Sequence, residues 1–333
     1  MATNDQVRAL VASHLEGDGA RFTSVAMQVA AAEARRGNAD FAAEMRRLID
    51  RSREVGGLRN ASPGVSIPFA APSGELKDLL SASQPEVKLS DMVLPDAMRA
   101  RLERVLAEQR QLALLRGHNL HPRQRLLLVG PPGCGKTMTA AALAGELHLT
   151  LFVVRLEVLV SKFLGETASK LRLIFEQMER TRAVFLFDEF DSIGTERGRG
   201  DDVGEMRRVL NSFLVMLEQY QGASLVIAAT NHGLSLDTAL FRRFDDHLEF
   251  APPGLKEIEQ TLRQSLALAP AKVSVDWPKL AKAAKGLSYA EVVRAARESM
   301  KTVLLAGKEE LTTADVAAAL RERGRPAPKL KRK

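Results

Sequence analysis

The sequence predicts an α/β domain with a mainly parallel five-stranded sheet, preceded by a small helical domain and followed by a helical lid. Three observations lead there. Five short β-type runs, Leu126 to Val129, Leu151 to Leu156, Val184 to Phe187, Leu225 to Ala229 and His247 to Phe250, alternate with segments of helical periodicity. Strands that alternate with helices form parallel sheets covered by those helices. A glycine-rich loop stands directly after the first of these strands and directly before a helix, and Pro252-Pro253-Gly254 then closes the alternation.

From Val7 to about Arg53 the chain is alanine-rich, with Phe22, Val25 and Val29, then Phe41, Met45, Leu48 and Ile49, spaced as one apolar stripe per helix. Gly37-Asn38 suits a tight turn between helices. A helical hairpin or three-helix bundle is expected over residues 1–55, serving recruitment. Residues 56–85 collect Gly56, Gly57, Pro63, Gly64, Pro68, Pro72, Gly74 and Pro85 and read as a flexible linker. The α/β domain then occupies 86–252, opening with helical pattern from Asp91 to Arg116. Beyond the Pro-Pro-Gly break, Leu255 to Leu268, Pro278 to Ala284, Tyr289 to Ala306 and Ala314 to Arg323 read as four helices of an all-helical domain over 253–323. Two of them open with capping-box spacings, Ser288 to Glu291 and Thr312 to Asp315.

Composition bounds the function. The chain has 333 residues, 45% hydrophobic and 27% charged, which excludes disorder throughout. No apolar run approaches the roughly 20 residues of a membrane helix. The opening MATNDQVRAL lacks a secretory pattern, and one cysteine makes no internal disulfide, so a cytoplasmic location is expected. The net charge of +7 invites a nucleic-acid reading, but Arg321 to Lys333 alone carries seven positive charges against one negative. Excess charge confined to a basic tail, residues 324–333 at its end, argues against a nucleic-acid groove.

Gly130-Pro-Pro-Gly-Cys-Gly-Lys136-Thr137 has the spacing GxxxxGK[ST] in the strand-to-helix setting that its chemistry needs. Glycines let backbone N–H groups turn toward a phosphate, and the helix N-terminus adds partial positive charge. Lys136 is placed to reach the outer phosphates, and Thr137 to ligate Mg²⁺. Pro131, Pro132, Gly133, Cys134, Gly135, Lys136, Thr137 and Met138 are therefore the candidate ATP-binding residues. Fifty-two residues after Lys136, the apolar run Ala183 to Phe187 ends in Asp188-Glu189. An acid at the strand end suits the metal, and the next can deprotonate the attacking water, so Asp188 is the candidate metal residue and Glu189 the candidate base. The histidines lack metal-ligand spacing.

With these motifs in place, the stretch from Ser90 to Arg323 resembles the AAA ATPases. Leu225-Val-Ile-Ala-Ala-Thr-Asn231 is similar to the family's sensor-1 strand, which implies that Asn231 lies between the acids and the γ-phosphate. Ala239-Leu-Phe-Arg242-Arg243-Phe resembles the segment that supplies arginines to a neighbouring subunit's ATP; Arg242 and Arg243 are both candidates for the main finger. Ser161-Lys162-Phe163-Leu164-Gly165 resembles the pore loop of protein-threading members, and VSKFLGETASKLRLIF is similar to the katanin and spastin group and to sporulation-type bacterial proteins. A second pore-facing loop is expected over Glu196 to Asp202. In the lid, the family's Gly-x-Ser-Gly-Ala-Asp corresponds to Gly286-Leu-Ser288-Tyr289-Ala290-Glu291, so Ala290 is implied at the adenine and Tyr289 stands where glycine is usual. Leu94 likewise stands where the adenine-side loop usually has glycine.

The resemblance implies a homo-oligomeric ring, hexameric by the family's pattern, that hydrolyses ATP with Mg²⁺ and threads a protein substrate, with an adaptor or protease as possible partner. Two alternatives compete: a DNA-acting loader or transposition-type ATPase, and a nucleotide-dependent scaffold that does not thread. Cys134 reads as packing, although the helix N-terminus beside it would favour thiolate.

Overall fold

The computed structural model describes residues 74–159, 164–190, 201–231, 241–267, 269 and 271–324, together with Ala26, Val29, Ala30, Asn38 and Arg47; for 164, 165 and 201–208 the backbone alone is described. The chain divides into two units, Met1–Phe69 and Ala70–Lys333. In the first, Ala26, Val29 and Ala30 are helical and buried, at the spacing of one helix face. Arg47 is helical and exposed and Asn38 is exposed outside any helix; the other positions of the expected N-terminal helices, and the tail beyond Gly324, lie outside the described residues.

The second unit begins with helix α1 (Leu76–Leu79) and strand β1 (Leu80–Ser83). A 3₁₀ turn (Leu89–Asp91) leads through Pro95 into α2 (Asp96–Arg110) and α3 (Leu112–Gly117), so the expected single helical stretch is broken where proline fixes the backbone. Then follow β2 (Arg125–Val129), α4 (Lys136–Leu147), β3 (Leu151–Val154), α5 (Leu156–Leu159) and α6 (Leu164–Arg180). The domain closes with β4 (Val184–Phe187), α7 (Asp201–Gln219), β5 (Leu225–Thr230) and β6 (Asp246–Glu249).

The sheet has six strands in the order β1-β3-β4-β5-β2-β6. All neighbours run parallel except β1, which is antiparallel to β3. Every residue of β4 and β5 is buried, as central strands covered on both faces must be. Their side chains alternate between two cores. Phe185, Phe187, Val226 and Ala228 face a core shared with residues of α5, α6 and α7, while Val184, Leu186, Leu225 and Ile227 face one shared with α2 and α4.

Two expectations change here. The stretch expected as linker over 56–85 contains α1 and β1, which raises the strand count from five to six: Leu79 and Leu80 are buried, and Ser81 pairs with Val153. The run LSAS is too short and too polar to announce itself by alternation, and it is ordered by the edge of β3 that it covers. The lid is not all-helical. It comprises α8 (Leu255–Leu266), β7 (Lys272–Ser274), α9 (Trp277–Ala283), α10 (Tyr289–Leu305), β8 (Glu310–Thr312) and α11 (Thr313–Arg323), and β7 and β8 form a parallel two-stranded ladder. Three-residue strands carry no readable period, but Val273 and Leu311 at the centre of each pack into the lid core. Among the described residues no helix is long and apolar enough to cross a membrane.

Both capping boxes form. Ser288 opens α10 and Thr312 opens α11, each exchanging bonds with the acid three residues on. Asp315 accepts from Lys308 Nζ at 2.8 Å, Thr312 N at 3.0 Å and Thr312 Oγ1 at 2.5 Å. The Lys308 bond foremost, then those from Thr312, pull its carboxyl from 3.8 down to about 2. A depressed carboxylate stabilises the fold above its unfolded pKa and loses that contribution as pH falls through the folded value. Thermal melts from pH 5 to 2 should therefore show stability declining from about pH 4 downward. In Asp315→Asn that part of the decline should vanish, with neutral-pH stability lower by about 1 kcal/mol.

Candidate nucleotide-binding site

The site lies at the C-terminal ends of the parallel strands. Gly130 leaves β2 with its N–H donating to Thr230 O of β5 at 3.2 Å, and a Cβ there would stand 2.1 Å from Phe250 O. Only glycine fits so close to the chain that follows β6. Gly133 (φ 76°) and Gly135 (φ 97°) hold the left-handed conformations that curl the loop. Helix α4 then starts at Lys136 with no side-chain cap and no acid in its first turn, so its backbone donors and positive end stay available to an anion.

Four predicted residues meet around this loop. The Lys136 ammonium, on a residue 6% exposed, donates to Gly130 O at 2.6 Å, Pro131 O at 3.0 Å and Asn231 Oδ1 at 2.9 Å. Thr137 Oγ1 donates to Asp188 Oδ2 at 2.6 Å. Asp188 reaches α4 because strand alternation turns it to the same face as Val184 and Leu186. Its other oxygen accepts from Glu189 N at 2.9 Å. Glu189 is exposed and left-handed (φ 51°), a conformation that costs an L-residue roughly 1–2 kcal/mol. These groups fit a triphosphate and Mg²⁺: uncapped amide donors with a lysine for phosphate oxygens, and a hydroxyl beside a carboxylate for a hard, oxygen-seeking cation.

The remaining loop residues fall in place differently. Pro131, Pro132, Gly133, Thr137 and Met138 are exposed, while Cys134 is 3% exposed within the core shared with α2. Burial pushes the Cys134 thiol up against the opposing pull of Lys136, which agrees with the packing role read from the sequence and outweighs the helix end's preference for thiolate. Leu94 is buried in that same core. The lid touches the loop: Ala290 N donates to Gly133 O at 3.1 Å, and a Cβ on Gly133 would meet Ser288 Oγ at 2.7 Å. Burial, with Glu257 and Cys134 nearby, raises the Tyr289 phenol to about 12. Spacing identified Ser288 as a cap; its contact with Gly133 across the domain junction had no sequence signal.

Arg242 is exposed, whereas Arg243 pairs with Glu218 near the end of α7. Residues 232–240, between Asn231 and this turn, lie outside the described residues, as do Lys162, Phe163 and 191–200. Leu164 begins α6, with its side chain outside the described set.

Residues 126–252, which span the loop, the acids and the arginine pair, match the family described as ATPase family associated with various cellular activities (AAA). The chain is 33% identical over 327 residues to an uncharacterized AAA family ATPase, y4kL, of Sinorhizobium fredii, covering 98% of this chain and 96% of that one. It is 31% identical to an ATP-dependent zinc metalloprotease FtsH of Acidobacterium capsulatum over 72% of its own length but only 39% of the relative's. A crystal structure of a FIGL-1 AAA domain has a similar fold, with a TM-score of 0.60 at 22% identity over 79% of this chain and 92% of that one. The parallel sheet, the loop and acids that meet at its end, and a relative that matches along nearly the whole length lead to one assignment: the chain belongs to the AAA family of ATPases.

Proposed function

We propose that this chain hydrolyses ATP in a ring of identical subunits and uses the energy to remodel a protein that it draws past Phe163. The observation that carries the hydrolytic part is the pair of bonds Lys136–Asn231 and Thr137–Asp188, which draws the start of α4 to residues at the ends of β5 and β4. The name of the FtsH relatives, a metalloprotease driven by ATP, supports a protein substrate.

In this reading the curled loop and the start of α4 bind the phosphates, and Lys136 exchanges its loop carbonyls for phosphate oxygens. Thr137 and Asp188 would hold Mg²⁺, which when bound would supply positive charge beside the phosphates. Glu189 takes a proton from water as the water oxygen attacks the γ-phosphorus and the bond to the bridging oxygen of ADP breaks. Asn231 orients that water or the γ-phosphate. Arg242, exposed in its turn, is the arginine offered to the neighbouring subunit, while the Glu218 bond holds Arg243 within its own chain.

Glu189→Gln should retain ATP affinity, measured with a fluorescent nucleotide, while steady-state turnover falls at least ~10²-fold; substantial residual turnover would remove Glu189 as the base. Arg242→Ala should lower turnover by ~10³-fold or more. Mixing it with Glu189→Gln should restore part of that activity, because a sound base and a sound arginine then meet at shared sites; no recovery on mixing would argue against an arginine supplied between subunits. Phe163→Ala should keep ATPase activity and lose unfolding of a tagged reporter protein. Intact unfolding by that variant would overturn threading.

A further inference from the structure

Glu189 is one of the described non-glycine residues with positive φ, at 51°, and its place in the chain explains what forces it there. Strand β4 presents Phe187 to the core that it shares with α6 and α7. Were the strand to continue extended, Glu189 would point to that same core and Phe190 to the opposite face, since side chains alternate with a period of two. The structure has the reverse. Phe190 is wholly buried in the core that holds Phe187, with its ring 4.8 Å from Phe213, and Phe213 also takes Phe187 at 4.8 Å. Two aromatic residues three apart share one face because the backbone between them reverses its hand, and the reversal turns Glu189 out to the surface.

A second anchor fixes where the reversal occurs. Phe190 N–H donates to Ala229 O in β5 at 2.8 Å, two residues before Asn231. Upstream, β4 is paired to β5 along its length and to β3 from Val184 to Leu186, which holds the strand in place. A glutamate has no short polar side chain to ease the left-handed state locally, as Asn or Asp does, so the conformation is held by what lies on either side of it.

We infer that Phe190 is a positioning residue for ATP hydrolysis: its buried ring and its bond to Ala229 hold Glu189 in the left-handed conformation that aims the carboxylate out of the core toward the attacking water. The inference rests on the reading of Glu189 as the general base. Removal of the ring lets residue 189 relax toward the extended state, which misdirects the carboxylate while the phosphate loop stays as it is.

The test separates turnover from binding in the full-length chain. Phe190→Ala should lower kcat at least ~10-fold with the ATP dissociation constant within about twofold of wild type, and Phe190→Leu, which keeps an apolar anchor, should recover most of the rate. Phe152→Leu, in the Phe152–Phe185 stack elsewhere in the same core, supplies a variant destabilised in packing alone, and its kcat should stay near wild type. If Phe190→Ala does not fold, Phe190→Val takes its place, with a smaller but measurable fall in kcat. A folded Phe190→Ala or Phe190→Val with wild-type kcat would overturn the inference, as would a parallel loss of ATP affinity or an equal fall in Phe152→Leu. Failure of the underlying reading looks different: Glu189→Gln itself would then keep hydrolysing, whereas a silent Glu189→Gln beside a fully active Phe190→Ala refutes the positioning role alone.

Discussion

Pairing between β2 and β5 is the constraint on which the site depends. The register sets Val129 opposite Thr230, and the two strand ends then release the loop that leads to Lys136 on one side and Asn231 on the other. The Gly130 bond to Thr230 extends the ladder by one step into the loop. A slip of one residue would turn every side chain of one strand to the opposite face. It would exchange the contents of two cores that are both apolar and both closed, so the register is fixed by packing on two sides at once. β4 joins the same ladder through β5, which is how Asp188 comes to stand beside Thr137 although 51 positions separate them.

What the sequence made legible follows from how strongly chemistry restricts residue type. A loop that curls around phosphate needs glycines with positive φ, and Gly133 and Gly135 have them. Metal and water need acids at a strand end, and the buried run before Asp188 marked the strand. The capping boxes of α10 and α11 were readable because both partners lie within four residues of each other. Long-range partners left no such trace. β1 is ordered by an edge 72 residues away along the chain, where Ser81 pairs with Val153, and nothing in LSAS specifies that edge. The Arg243–Glu218 pair and the lid's approach to Gly133 depend on the folded arrangement in the same way. The backbone of Glu189 was hidden for another reason. Its conformation is dictated by the neighbour Phe190, whose burial beside Phe213 cannot be read from a single aromatic residue.

Charge is distributed with similar economy. Glu291 is held below the usual carboxylate range by the Ser288 backbone and hydroxyl, with Arg294 and Arg323 adding to the effect against some burial. The acid that ends up near the phosphate loop is thus already occupied with capping α10. Cys134, forced toward the neutral thiol, brings no negative charge to the loop. The neutral thiol keeps the local field favourable to an anion, in keeping with the uncapped start of α4, whereas Glu291 stays ionised within its cap.

The bond from Ala290 to Gly133 joins the lid to the turn of the phosphate loop through main-chain atoms alone. Because Gly133 carries no side chain, Ser288 and Ala290 approach it more closely than any other residue there would allow. A tilt of α10 therefore either breaks this bond or carries Gly133 with it, which gives movement of the lid a direct route to the loop.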